Sequence, residues 1–275
     1  MKTRIISGAC FVVIVVGFFL LRQFVNPALF NILLWVFSAV GTFEMARACK
    51  SITGEAIFKI SCVFGVLFVP TFVLTELFVK DGFGFVYALI LTAAALVINV
   101  AIASRKEDRK ALYYAFLDVL YPSVFILLML LTNDLVLQKG FVAMLLLFVI
   151  APFADTFAYF VGSLLKGPKL CPKLSPKKTW SGAIGGCIGG AVGAIVVFFV
   201  FATSLGGYFT WYLFLALGFI TSILTIAGDL FESSIKRKLE IKDMGKIMPG
   251  HGGVLDRIDG MTFAVVLIYL VFALL

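Results

Sequence analysis

Nine apolar runs, most of them close to the length of a membrane-crossing helix, constrain this chain more than any other feature. They fall at roughly 5–21, 28–43, 60–79, 83–103, 111–132, 141–162, 181–203, 208–231 and 261–275. About 20 apolar residues in helical form cross the hydrocarbon core of a bilayer. A transmembrane barrel would instead show ~10-residue segments of alternating character. Charged residues make up 14% of the 275 positions, whereas a soluble domain typically carries about 25%. That leaves too little polar surface for a soluble fold. The five cysteines (Cys10, Cys49, Cys62, Cys171 and Cys187) are odd in number and scattered, which excludes a disulfide-stapled module. The chain therefore reads as an all-α, polytopic integral membrane protein with about nine transmembrane helices. Its first run follows Lys2 and Arg4 without a small-x-small cleavage site, so a retained anchor is expected rather than a signal peptide.

The basic residues give an orientation. Taken loop by loop, the N-terminus and every second loop hold 20 of the 23 Lys and Arg, and the remaining loops and the C-terminus hold 3. Positive charge stays on the cytoplasmic side, which predicts a cytoplasmic N-terminus and a C-terminus outside. The formal net charge of +8 follows from the same pattern, so no nucleic-acid partner is expected. Residues 1–140 read as N-terminal membrane helices and 141–275 as a catalytic membrane region. The latter holds two long basic loops, 163–180 and 232–260, both on the cytoplasmic side.

Four carboxylates lie in or at the edge of apolar runs: Glu76, Asp118, Asp155 and Asp229. Charges at that depth usually face a cavity, a partner or an ion. For Glu76 and Asp118 a structural pairing is as good a reading as a functional one. Asp155 and Asp229 each lead directly into a basic loop, a setting in which acids hold a hard cation and bases hold polyanionic oxygens. In the first loop Pro168, Pro172 and Pro176 forbid an ordinary helix and fix where Lys177, Lys178, Ser175 and Thr179 point. The next span carries Gly182, Gly185, Gly186, Gly189, Gly190 and Gly193, a pattern that favours close helix packing over a nucleotide cradle. In the second loop, Pro249-Gly-His251-Gly252-Gly253 is a flexible turn that allows close approach of a phosphate. Asp256 and Asp259 share a face if the last helix starts there, and Lys236, Arg237, Lys242 and Arg257 are available for phosphate oxygens. His251 is the sole histidine, so no His-based zinc site is possible. Together these features point to phosphoryl or nucleotidyl transfer on a lipid.

These residues resemble the phosphatidate cytidylyltransferases, or CDP-diacylglycerol synthases. That family's motif is met by Ser233, Lys236, Arg237, Lys242, Asp243, Pro249, His251, Gly252, Gly253, Asp256, Arg257 and Asp259, with every spacing kept. Gly228-Asp229-Leu230 and the stretch from Asp155 to Ser175-Pro-Lys177-Lys178-Thr179-Trp180 look like family segments too. Two positions depart from the pattern: Ser163, where a basic residue is usual, and Ser181, where an acidic one is. The resemblance implies transfer of CMP from CTP to phosphatidic acid, giving CDP-diacylglycerol and pyrophosphate for phospholipid synthesis. It implies Mg²⁺ held by Asp229 and Asp256, with Asp259 serving a second cation or orienting Arg257. Asp229, Asp256, Lys236, Arg237, His251 and Arg257 would be catalytic. Asp155, Ser175, Lys177, Lys178, Thr179, Ser233, Lys242, Asp243, Gly252 and Gly253 would bind substrate. The setting would be the inner (cytoplasmic) membrane, with the site facing the cytoplasm, and the partners would be the lipid bilayer and, in a homodimer, a second copy of the chain.

Two other readings are weaker. A CDP-alcohol phosphotransferase would show Asp-Gly-x-x-Ala-Arg and acids four apart, whereas the acids here are three apart. A secondary transporter of a phosphorylated anion would favour inverted repeats, yet the two halves of this chain differ plainly.

Overall fold

The structure, a computed structural model, describes residues 2–79, 82–250 and 252–275. Among the described residues nine helices are long and apolar enough to cross a membrane. They are α1 (Lys2–Phe24), α2 (Phe30–Thr53), α3 (Glu55–Phe78), α4 (Phe83–Ser104), α5 (Arg109–Asp134), α6 (Leu137–Leu165), α7 (Trp180–Val197), α8 (Trp211–Lys238) and α9 (Leu255–Leu274). The all-α polytopic reading stands. The chain divides into two compact units, Met1–Leu131 with Leu239–Arg257 and Thr132–Lys238 with Ile258–Leu275.

In the first unit, Phe30, Phe37, Met45, Ile57, Phe68 and Phe72 are fully buried between helices, while Val13, Val63, Leu77 and Val97 are exposed, as lipid-facing side chains are. Helix α2 outlasts the apolar run at 28–43 by ten residues and ends at Thr53. The sequence Glu44-Met-Ala-Arg-Ala-Cys-Lys holds several strong helix formers, so the helix continues after the hydropathy falls. Gly54 stops it at φ 95°, donating its N–H to Lys50 O at 2.8 Å, and α3 begins at the next residue. Glu76 has a structural task. Its two carboxylate oxygens accept the N–H groups of Gly82 and Gly84, each at 2.8 Å, and so cap the start of α4.

In the second unit, α7 lies between α6 and α8 because its glycines leave no room for anything larger. A Cβ at Gly185 would sit 2.5 Å from Val161 Cβ, and one at Gly189 2.5 Å from Phe157 Cβ, both on α6. On the side toward α8, a Cβ at Gly190 would be 3.0 Å from Gly218 O. Packing is therefore the role these glycines have.

Both long loops turn out more ordered than their polarity suggests. The first folds as an antiparallel hairpin of β1 (Lys169–Cys171) and β2 (Ser175–Thr179), pairing Lys169 with Thr179 and Cys171 with Ser175. Strands were not expected there. Pro168 and Pro172 flank β1 and Pro176 lies on a strand of a two-stranded sheet, where an N–H can face away from the partner. The second loop is shorter than 232–260, since α8 runs on to Lys238 and α9 starts at Leu255. Lys236, Arg237 and Lys238 form the last turn of α8, where cations suit the helix dipole.

Candidate active site

The second unit contains a cavity of about 660 Å³ built where α6, the hairpin and the start of α7 meet. Its lining includes the small and apolar residues Ala154, Ala158, Gly182, Ala183 and Ile226, and its polar side chains come from Asp155, Tyr159, Ser163, Lys166, Lys169, Lys177, Lys178 and Thr179. Four lysines on one cavity repel one another unless anions balance them. Lys178 is balanced within the unit: its ammonium forms an ion pair with Asp229 Oδ2, from α8. Asp229 Oδ1 accepts the hydroxyl of Ser233 at 3.2 Å, one helical turn on. Next along α8, Lys236 donates to the fully buried Glu232 at 3.0 Å. The charges of Asp229, Asp155 and Lys236 all act on the carboxylate of Asp259 in α9. Helices α8 and α9 meet closely at this level, since a Cβ at Gly228 would collide with Asp259 O.

Local structure explains several of these placements. Thr179 is the N-cap of α7, its hydroxyl accepting the Gly182 N–H at 3.1 Å, so the substrate-binding hydroxyl expected there also closes a helix end. Ser175 opens β2 opposite Cys171. Arg237 donates from Nε to Leu174 O at 3.4 Å and so reaches the hairpin turn. Ser163, one of the two departures from the family pattern, lines the cavity, while its hydroxyl donates to Phe160 O at 2.9 Å. Ser181, the other, lies 3.1 Å from the Thr179 hydroxyl.

The remaining candidates belong to the first unit. Lys242 and Asp243 are exposed on the 239–257 loop, and Arg257 is exposed on the first turn of α9. Asp256 is buried, and its Oδ2 accepts the backbone N–H groups of Met244 (2.9 Å), Gly253 (2.8 Å) and Gly245 (3.4 Å). Gly252 gives its carbonyl to Met248 N–H at 2.9 Å. His251 lies outside the described residues.

Within its unit, then, the structure brings Asp155, Lys177, Lys178 and Thr179 around one cavity, with Asp229 and Ser233 beside it. Sequence reasoning missed Lys166 and Lys169 as members. The signal for Lys169 is the hairpin register, which sets it opposite Thr179, and no periodicity in the sequence announces that pairing.

A family model described as the cytidylyltransferase family matches residues 2–275. The chain belongs to the cytidylyltransferase family. Among curated relatives, the phosphatidate cytidylyltransferase of Helicobacter pylori strain J99 is 33% identical over 264 residues, covering 95% of this chain and 88% of that one. The enzyme of the same name from Brucella abortus biovar 1 is 39% identical over 131 residues, 48% of this chain and 47% of its own length. That from Thermotoga maritima is 48% identical over 62 residues, 22% of this chain and 23% of its own. Family membership makes the chain a nucleotidyltransferase of the membrane. It gives the transporter reading no support.

Proposed function

We propose that this chain is a phosphatidate cytidylyltransferase, which joins CTP and phosphatidic acid into CDP-diacylglycerol and releases pyrophosphate. The cavity lined by both lysines and apolar residues carries the reading, because both substrates are polyanionic and one of them is a lipid. A phosphate monoester has a second pKa of about 6, as in phosphoserine, so phosphatidate reaches the site largely as a dianion. It needs no general base. One of its phosphate oxygens forms the new bond to the α-phosphorus of CTP, and the bond from that phosphorus to the pyrophosphate oxygen breaks.

The chain has two tasks in this step. It must cancel the repulsion between two anions and hold the attacking oxygen in line with the leaving one. Lys166, Lys169, Lys177 and Lys178 serve the first task, with charge placed before the reaction begins. The hairpin serves the second, since its pairing fixes Lys169 against Thr179 and its turn is held by Arg237.

Mg²⁺ belongs to the same proposal. Among the described residues no three His, Cys, Asp or Glu side chains converge into a closed metal cage. Mg²⁺ requires less than that: one or two carboxylates, with waters and substrate phosphates completing the octahedron. The donors fit, because Asp229 already holds a cation, the Lys178 ammonium, and Asp259 is its electrostatic neighbour. Asp229 and Asp259 would hold the ion in the second unit. Asp256, to which the resemblance gives the same role, precedes Asp259 by three residues on α9. When bound, the ion supplies Lewis-acid stabilisation of charge on the phosphate oxygens. Inner-membrane residence, with the cavity facing the cytoplasm, completes the proposal and is supported by the distribution of Lys and Arg.

The test uses purified protein in detergent micelles with phosphatidate, labelled CTP and a Mg²⁺ titration. Mg²⁺-dependent appearance of CDP-lipid is expected. Folded protein that makes none at any Mg²⁺ concentration refutes the proposal.

A further inference from the structure

We infer that Glu44 of α2 is a positioning residue for the reaction, acting through the 239–257 loop and the first turn of α9. This rests on the reading above, in which residues at the start of α9 serve nucleotidyl transfer.

Glu44 is fully buried, one residue beyond the apolar run at 28–43. A buried carboxylate is costly without hydrogen bonds and needs a reason to be there. Its Oε2 accepts the N–H of Leu255 at 2.9 Å. Leu255 is the first residue of α9, and the residue before it is Val254, which has no side-chain oxygen with which to cap a helix. The cap therefore comes from 211 residues away along the chain. A negative charge at this end of a helix also suits the dipole.

The loop is shaped around that carboxylate. Gly245 and Gly253 both lie against it, and a Cβ at either position would collide with it. One turn further along α2, Arg47 donates from Nη2 to Met244 O at 3.5 Å. On α1, the Ser7 hydroxyl donates to Pro249 O at 3.0 Å. Asp256 Oδ2 then gathers the Met244, Gly245 and Gly253 N–H groups from within the loop. Two carboxylates thus divide the work. Asp256 closes the loop on itself, and Glu44 fixes it to α2. Loss of Glu44 leaves the Leu255 N–H buried without its acceptor and frees the turn that carries Asp256 and Arg257.

Three variants test this: Glu44→Ala, Glu44→Gln, which keeps an acceptor oxygen, and Gly245→Ala, whose methyl displaces the carboxylate while leaving every charge in place. Glu44→Ala and Gly245→Ala are expected to lower kcat about thirtyfold, with KM for CTP changed by no more than about threefold. Glu44→Gln should recover to within about fivefold of wild type, because the cap needs an oxygen more than a charge. Independently of turnover, trypsin should cut at Lys242 and Lys246 about tenfold faster in the first two variants, with cutting at Lys169 and Lys173 unchanged. Unchanged kcat together with unchanged loop cutting in Glu44→Ala overturns the inference. So does a Gln variant as impaired as the Ala variant. A wild type that makes no CDP-lipid sinks the functional reading instead, and the trypsin comparison then decides the loop clamp by itself.

Discussion

The lysine cavity of the second unit and the 239–257 loop of the first use the same residue types in opposite ways. In the second unit, carboxylates face cations: Asp229 holds Lys178, which lines the cavity, and Glu232 holds Lys236 on α8. In the loop, carboxylates face backbone: Glu44 takes the Leu255 N–H, and Asp256 takes those of Met244, Gly245 and Gly253. An ion pair beside a cavity can be exchanged for a ligand, since a phosphate competes for the ammonium and a metal for the carboxylate. A carboxylate wrapped in amides has its Oδ2 or Oε2 committed and lends shape. Charge near membrane depth is thus of two kinds in this molecule, one paired with cations and one committed to backbone amides.

The sharpest way to break that distinction is Asp229→Asn. If Asp229 holds the metal, losing about 4 kcal/mol of transition-state stabilisation slows the reaction about a thousandfold. The check is kcat across a Mg²⁺ titration with a normal size-exclusion profile, and near-native rates at low Mg²⁺ would remove Asp229 from the metal site. Replacing Lys177 and Lys178 together with Gln should cost about a hundredfold in kcat/KM without affecting membrane insertion. An unchanged value would reduce both lysines to markers of topology. Gly185→Val tests the packing of α7 against α6 and should lower stability by about 1–3 kcal/mol, read as the midpoint of thermal unfolding in detergent. The smallest effect belongs to a carboxylate of the amide-bound kind. Glu76→Ala should cost about 1 kcal/mol of stability, the typical value for a lost cap, with kcat held to within about twofold. A large loss of kcat in that variant would show that the two kinds are not separate.

How far the sequence alone reaches follows the same division. Spans, the glycine packing of α7 and the basic loops were legible because hydropathy, small-residue spacing and charge are local properties. The ends of α2 and α8 were not, because a helix can continue past the end of an apolar run, as at 44–53 and 232–238. The hairpin was hidden because it depends on pairing Lys169 with Thr179 across a proline-bounded turn. Glu44 was invisible for a different reason. Its partner is a backbone N–H on α9, and an amide carries no sequence signature. Of the four acids marked within apolar runs, Glu76 proved to be a cap, while Asp155 and Asp229 are in and beside the cavity.

The charge census predicts a C-terminus outside, and cysteine labelling after residue 275 checks that expectation. The central claim, that the chain transfers CMP to a lipid phosphate, is tested most directly by where label goes. Purified protein is given phosphatidate and Mg²⁺ with CTP labelled in either its α- or its γ-phosphate. The account predicts that α-label enters the lipid fraction as CDP-diacylglycerol while γ-label leaves as pyrophosphate. Label from the γ-phosphate in the lipid, or no lipid label from either, would contradict it.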